Sequence, residues 1–255
     1  TANDAFKPVT RYFDRIIRPE QIISSLQQAV QVMLDPADCG PACISLSQDV
    51  QGEVYDYPEE FFKERIHTIR RSRPDDFQIK EAAELIKKSK KPIIISGGGV
   101  FYSDATDELS IFAQKHNIPV TQTVMGYSTM KKDHSHYLGV IGGLGGKAAN
   151  NLSKETDTAI AIGTKLADFT TGSWANFENP DFKLVSINAA RFDANKHMAQ
   201  AIVGDAKVSL MELSHALGTW KADDSWYKKS RVELKEWESY VDKESGPTNQ
   251  KLPSY

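Results

Sequence analysis

The sequence predicts a doubly wound α/β fold on a parallel sheet, and three observations carry that prediction. Pro92-Ile93-Ile94-Ile95-Ser96 is an unbroken apolar run, the pattern of a strand buried on both faces. It leaves through Gly97-Gly98-Gly99, a turn with no side chains to keep another backbone away. The segments around it, 77–89 and 104–115, place apolar residues at helical spacing, and the same strand–helix rhythm repeats down the chain.

Taken in order, residues 19–34 read as a helix. Pro19 suits its first position, and Ile22, Leu26, Ala29, Val30 and Met33 form one apolar stripe. Asp35-Pro36 ends it, and Ala42-Cys43-Ile44-Ser45-Leu46 follows as a short strand. One helix and one strand bury no core alone, so residues 1–53 read as the last unit of a domain that begins elsewhere. Residues 54–74 read as a linker, pinned by Tyr55, Tyr57, Phe61 and Phe62, with Arg70, Arg71 and Arg73 solvated.

The main domain is expected over 75–218. Its helix 77–89 buries Ile79, Ala82, Ala83 and Ile86, and helix 104–115 buries Leu109, Phe112 and Ala113. Strands are expected at 92–96, 118–121, 137–141, 158–162, 183–187 and 201–203, which makes a six-stranded Rossmann-like sheet. Helices at 147–153 and 206–217 complete it, with Met198 buried beside the last strand. Residues 219–255 read as a linker helix, capped by Ser225 and carrying Leu234, Trp237 and Val241 on one side, then an extended end.

The 255 residues carry a formal net charge of −3, with 40% hydrophobic and 25% charged residues. That spread-out, near-neutral balance advertises neither a nucleic-acid nor a membrane-surface partner. No apolar run approaches the roughly 20 residues of a membrane helix. Cys39 and Cys43 are too few for a disulfide framework and read as reduced thiols of a cytoplasmic protein.

Glycine clusters mark the candidate site. Gly97-Gly98-Gly99 misses the dinucleotide fingerprint because Tyr102 stands at the third glycine position. Gly143-Leu144-Gly145-Gly146-Lys147-Ala148 meets its looser form. There a phosphate would lie on the amides of Gly145 and Gly146 beside Lys147, or the loop is a tight turn needed for packing. It is no Walker A loop, since Ile141 and Ala148 replace the required glycine and hydroxyl. Lys165 and Asp168 lie just past strand 158–162, at the edge where ligands of such sheets bind, while strand 183–187 ends in the neutral Asn188. The nucleotide crevice read from these residues comprises Gly97, Gly98, Gly143, Gly145, Lys147 and Lys165. His134-Ser135-His136 could chelate zinc from one strand face, but no third ligand is evident, so the motif reads as a solvated loop. His116, His197 and His215 read as helix-end or surface residues.

These landmarks together resemble the thiamin-diphosphate (ThDP) enzymes related to acetohydroxyacid synthase and pyruvate oxidase. The segment 40–50, with Ser47 where proline is usual, resembles the close of their pyrimidine-binding domain. Segments 91–100, 138–150, 162–172 and 202–205 match successive landmarks of their central domain, and Leu252-Pro253-Ser254-Tyr255 resembles the approach to their pyrophosphate-binding domain. Segments 11–16 and 49–58 are most similar to the branch that hydrolyses trihydroxycyclohexane-1,2-dione in inositol catabolism.

The resemblance implies an enzyme that adds a ThDP carbanion to a ring carbonyl and hydrolyses the C–C bond between two ketones. It implies ThDP and magnesium as cofactors, a cyclic diketone as substrate, and a homo-oligomer. The family's early glutamate and its magnesium-holding Gly-Asp-Gly motif are missing from this sequence. The chain is therefore expected to be an inactive central fragment with no catalytic residue. FAD is not expected, because Lys165, Phe169 and Asn188 stand where the flavin-binding pattern carries two arginines and an acid. A nucleotide-binding module for ADP, NAD or FAD is the alternative.

Overall fold

The computed structural model describes residues 2–245, which fall into two units that divide after Arg70. In the first, β1 (Tyr12–Ile16) and β2 (Ala42–Leu46) pair in parallel, with Tyr12 opposite Ala42 and Ile16 opposite Leu46. Helix α1 (Ile22–Leu34) connects them. This corrects the expectation of a lone strand: β1 is missed because Tyr-Phe-Asp-Arg-Ile carries two charges and only its pairing with β2 reveals it.

The inner face of α1 is also displaced. Ser25 and Ala29 are buried, with Ser25 Oγ donating to Asp14, while Leu26 and Met33 are exposed. The predicted aromatic cluster forms: the Tyr57 and Phe61 rings stack at 5.6 Å, and the Tyr57 hydroxyl donates to Pro19 O at 3.2 Å.

The second unit holds a six-stranded, wholly parallel sheet, as predicted. Helix α2 (Asp76–Lys87), capped by the Asp75 carboxylate on the Phe77 amide, precedes β3 (Pro92–Ser96). There follow the helical turn α3 (Gly99–Tyr102), α4 (Thr106–His116), β4 (Val120–Gln122), β5 (Tyr137–Val140), α5 (Lys147–Glu155) and β6 (Thr158–Ile162). The unit continues through α6 (Asp168–Thr171), β7 (Lys183–Asn188), α7 (Arg191–Ala194), β8 (Gln200–Val203), α8 (Ala206–Leu217) and α9 (Asp224–Glu244).

The strand order is β5-β4-β3-β6-β7-β8, so the chain winds one way from β3 and the other way from β6. All five residues of β3 and of β6 are buried, because helices cover both faces of the sheet's centre.

Four further expectations are corrected. Arg71 is not simply solvated: its guanidinium donates to Ser103 O and, at 3.0 Å, to Asp205, the residue that caps α8 through the amides of Lys207 and Val208. Met198 is fully exposed, because it and His197 have left-handed backbone (φ 55° and 60°) that turns the side chain outward. His116 ends α4, as read, but is buried rather than superficial. Its Nδ1 donates to Trp220 O at 2.7 Å and its Nε2 accepts from Ser214 Oγ at 3.0 Å, while burial holds its pKa low.

The last correction concerns α9, which starts at Asp224 and is capped by Asp223, two residues before the proposed cap Ser225. The helix is anchored to the second unit. Trp226 is buried and donates Nε1–H to Pro92 O at 2.8 Å, Leu234 is buried, and Arg231 donates to Tyr137 O at 2.9 Å. The extended end 246–255, with its resemblance at 252–255, lies outside the described residues.

Candidate functional site

Parallel α/β sheets bind ligands beyond the carboxyl ends of their strands, where the winding reverses. Here that point lies between β3 and β6, and the residues after them are Gly97-Gly98-Gly99 and Gly163-Thr164-Lys165. The two turns close on each other. Gly97 N donates to Ile162 O at 2.8 Å and Gly99 N to Gly163 O at 2.9 Å. A Cβ added to Gly99 would stand 2.6 Å from Gly163 Cα, a separation that only two glycines allow. Gly163 also has φ +60°, the left-handed region that glycine enters without penalty.

The second cluster is likewise turned inward. Gly143 N donates to Phe169 O (2.8 Å), Gly145 N to Gly142 O (2.9 Å) and Gly146 N to Val140 O (2.9 Å). Gly142 is fastened from both sides by Asn150, which accepts from its amide at 2.9 Å and donates to its carbonyl at 3.0 Å. The Lys147 ammonium sits over the Tyr240 ring at 4.8 Å, and Gly146 packs against the Trp237 indole.

Lys165 is exposed, 3.9 Å from Asp193. Asn188 donates to Thr164 O at 3.3 Å and accepts from Ala190 N at 2.9 Å, so its side chain braces backbone where a ribose acceptor would be wanted. The structure thus brings Gly97 and Gly99 together with Gly163. Gly143 and Gly145 lie in a loop whose amides face its own carbonyls.

The bracing residues around this edge were not singled out in the sequence. Buried Gln122 donates to Met130 O at 2.8 Å, accepts from Ser128 N at 3.2 Å and so ties down the segment after β4. Ser96 and Thr129 hydroxyls bond at 2.6 Å beside it. The signal available for two of them is a polar residue at the end of an apolar strand, Ser96 in β3 and Gln122 in β4, the position that must satisfy the loop above.

The histidine pair lies in a turn before β5, with rings 5.7 Å apart. Among the described residues no group of His, Cys, Asp or Glu is placed to hold a metal. His136 donates Nε2–H to Asn117 at 3.1 Å, accepts from Ser135 at 2.9 Å and stacks on Tyr227. Burial, with Arg231 and His134 nearby, lowers its pKa to about 4. This corrects the reading of a solvated loop: His136 is a neutral, satisfied core histidine, buried because Asn117, Ser135 and Tyr227 pack around its ring.

A cleft of about 810 Å³ opens at the opposite, amino ends of the strands, among Glu81, Glu84, Lys88, Lys91, Asp157 and Lys183. Asp157 there is already committed to Ser89 and the amides of Lys90 and Lys91. Mixed charge without a convergent set of free groups gives this cleft no catalytic character.

These features define a class: a Rossmann-like domain with a tightly closed carboxyl edge and no assembled catalytic group among its described residues. Residues 79–213 match the model of the thiamine pyrophosphate enzyme central domain, and the chain belongs to that family. Among similar curated proteins is the 3D-(3,5/4)-trihydroxycyclohexane-1,2-dione hydrolase of Clostridium perfringens, 48% identical over 85% of this chain and 34% of its own length. The protein of that name from Bacillus subtilis is 47% identical over 88% of this chain and 35% of its own. That from Clostridium tetani is 43% identical over 95% and 38%. The chain thus spans about a third of the length of the curated relatives it matches.

Proposed function

We propose that this chain is the central scaffold of a ThDP-dependent hydrolase of trihydroxycyclohexane-1,2-dione, and that the reacting groups lie outside it. The observation that carries this reading is the near-half identity to three such hydrolases across almost the whole chain, combined with the closed edge described above.

The residues present do not fit ThDP or its magnesium. The sequence has no Gly-Asp-Gly, and the carboxylate of Gly204-Asp205-Ala206 is buried in the cap of α8 and paired with Arg71. No step of diketone cleavage is therefore assigned to a side chain of this chain. Its contribution is a rigid platform, made rigid by backbone bonds between the turns after β3 and β6 and between those after β5 and β6.

The same geometry supports a scaffold without FAD, since Phe169 and Asn188 offer no cationic or acidic contact. The reading places the intact enzyme in the cytoplasm. No helix among the described residues is long and apolar enough to cross a membrane.

The test is hydrolysis of the diketone with ThDP and magnesium, by this chain and by the intact polypeptide that carries it. The intact polypeptide should turn over, while this chain should neither turn over nor give a calorimetric heat with ThDP. Turnover by this chain alone, or none by the intact polypeptide, would defeat the proposal.

A further inference from the structure

A cleft of about 590 Å³ lies beside the edge strand β5, lined by that strand, the loop 142–146 and α9. It stands apart from the turns after β3 and β6 and takes no part in the hydrolase reading. Its volume is that of a small-molecule site.

The strand itself opens the cleft. The pairing of β4 with β5 shifts register at Thr121, and Gly139 sits at the shift with φ +98° and no atom within 4 Å of where a Cβ would stand. A glycine in such a bulge leaves room for another molecule to approach the strand. Opposite, Trp237 closes onto Gly146, where any Cβ would meet its Nε1 at 2.5 Å. The indole stacks on the Tyr240 ring at 5.6 Å, and the Lys147 ammonium lies over that second ring. The aromatic wall is thus fixed before anything binds, and Leu144 and Val241 extend it.

Two kinds of polar group line this cleft without partners. Tyr137 is only 8% exposed; its carbonyl accepts from Arg231, but its hydroxyl makes no hydrogen bond among the described residues. Burial, then Tyr127 and Glu238, raise its pKa, so it stays a neutral hydroxyl able to accept from a cation. Glu238 and Asp242 stand four residues apart on α9 and form no ion pair among the described residues. Like charges at that spacing repel, and Asp242 lies in the last turn of α9, where the helix dipole already disfavours an anion. Lys132 is the one cation among the described lining residues, so two carboxylates face a single ammonium.

We propose that this cleft binds an organic ammonium ion with an apolar body. The ammonium takes the two carboxylates and the Tyr137 hydroxyl as partners, and the body lies along Trp237, Leu144 and Val241. The bound cation supplies the counter-charge that α9 lacks and is attracted to the indole face as well.

Calorimetric titration of the 255-residue chain with 2-phenylethylammonium chloride tests it, with heat of binding as the signal and no diketone present. A dissociation constant of about 1 mM or below is expected. The uncharged 2-phenylethanol should bind at least tenfold more weakly, and so should ammonium chloride, which has the charge without the body. Glu238→Gln combined with Asp242→Asn should weaken binding at least tenfold, with melting unchanged or raised because a repulsion is lost. If that pair melts early, Tyr137→Phe, which removes only the hydroxyl, decides in its place with an expected loss of at least threefold. Lys88→Glu, in the cleft at the amino ends of the strands, should bind the amine as the unaltered chain does. No heat with the amine up to about 10 mM, equal binding of the alcohol, or equal binding by the well-folded variant overturns the proposal.

Discussion

Gly163→Ala tests the closure of the sheet edge most sharply. The new methyl would meet Gly99 Cα at 2.6 Å, Gly99 C at 2.8 Å and Val100 N at 2.9 Å. All three are backbone atoms, so nothing can swing aside and the two turns must part. An alanine at φ +60° adds about 1–2 kcal/mol of conformational cost. Parting the turns also breaks the Gly99 N–H bond to Gly163 O, and a donor left unpaired in the interior costs about 1–3 kcal/mol.

The total is about 2–5 kcal/mol, a large fraction of the 5–15 kcal/mol typical of a domain. It corresponds to a fall of about 10 °C in melting temperature. Gly139→Ala is the comparator: φ is +98° and no atom lies within 4 Å, so it pays only the conformational part, about 1–2 kcal/mol. Urea denaturation followed by tryptophan fluorescence measures both. Should the two variants lose the same stability, the backbone contact between the turns is not what holds this edge shut.

Three other predictions concern the frame. Trp226→Phe keeps most of the buried ring but leaves Pro92 O without its donor, and should cost about 1–3 kcal/mol by denaturation; no loss would show α9 to be dispensable. Asp205→Ala removes a helix cap and the partner of Arg71, so it should destabilise by about 2–3 kcal/mol, whereas Asp205→Asn should recover part of that through the cap. His136, with its pKa lowered to about 4, binds its proton in the unfolded chain before the folded one. Stability should hold above about pH 6.5 and fall progressively from there towards pH 4, by at most about 3 kcal/mol from this residue. His136→Gln should flatten that slope, and an unchanged slope would assign the loss to other groups.

Much of this frame was legible in the sequence. Strands 92–96 and 158–162 appear with the boundaries read from their apolar runs, because a strand covered on both faces tolerates little else. Helix 206–217 starts at its aspartate cap and stops at Gly218 for equally local reasons.

Features that depend on distant partners were hidden. Tyr12–Ile16 becomes a strand only beside Ala42–Leu46, and His116 is buried because Trp220 and Ser214, about a hundred residues on, satisfy both ring nitrogens. The glycine clusters show the limit most clearly. Their density marks where backbones come close, but a phosphate and a second turn demand the same residue. The direction of the amides of Gly99, Gly143 and Gly145, each bonded to a carbonyl, is a three-dimensional fact.

The central claim, that this domain is a closed scaffold and holds no nucleotide, is tested most directly by thermal melting of the chain with ADP, NAD and FAD. A ligand present at 100 times its dissociation constant adds about 2.7 kcal/mol to the folded state. The account predicts an unchanged melting temperature with all three. A saturable rise with any of them, abolished by Lys165→Ala, would show that the crevice opens and would contradict it.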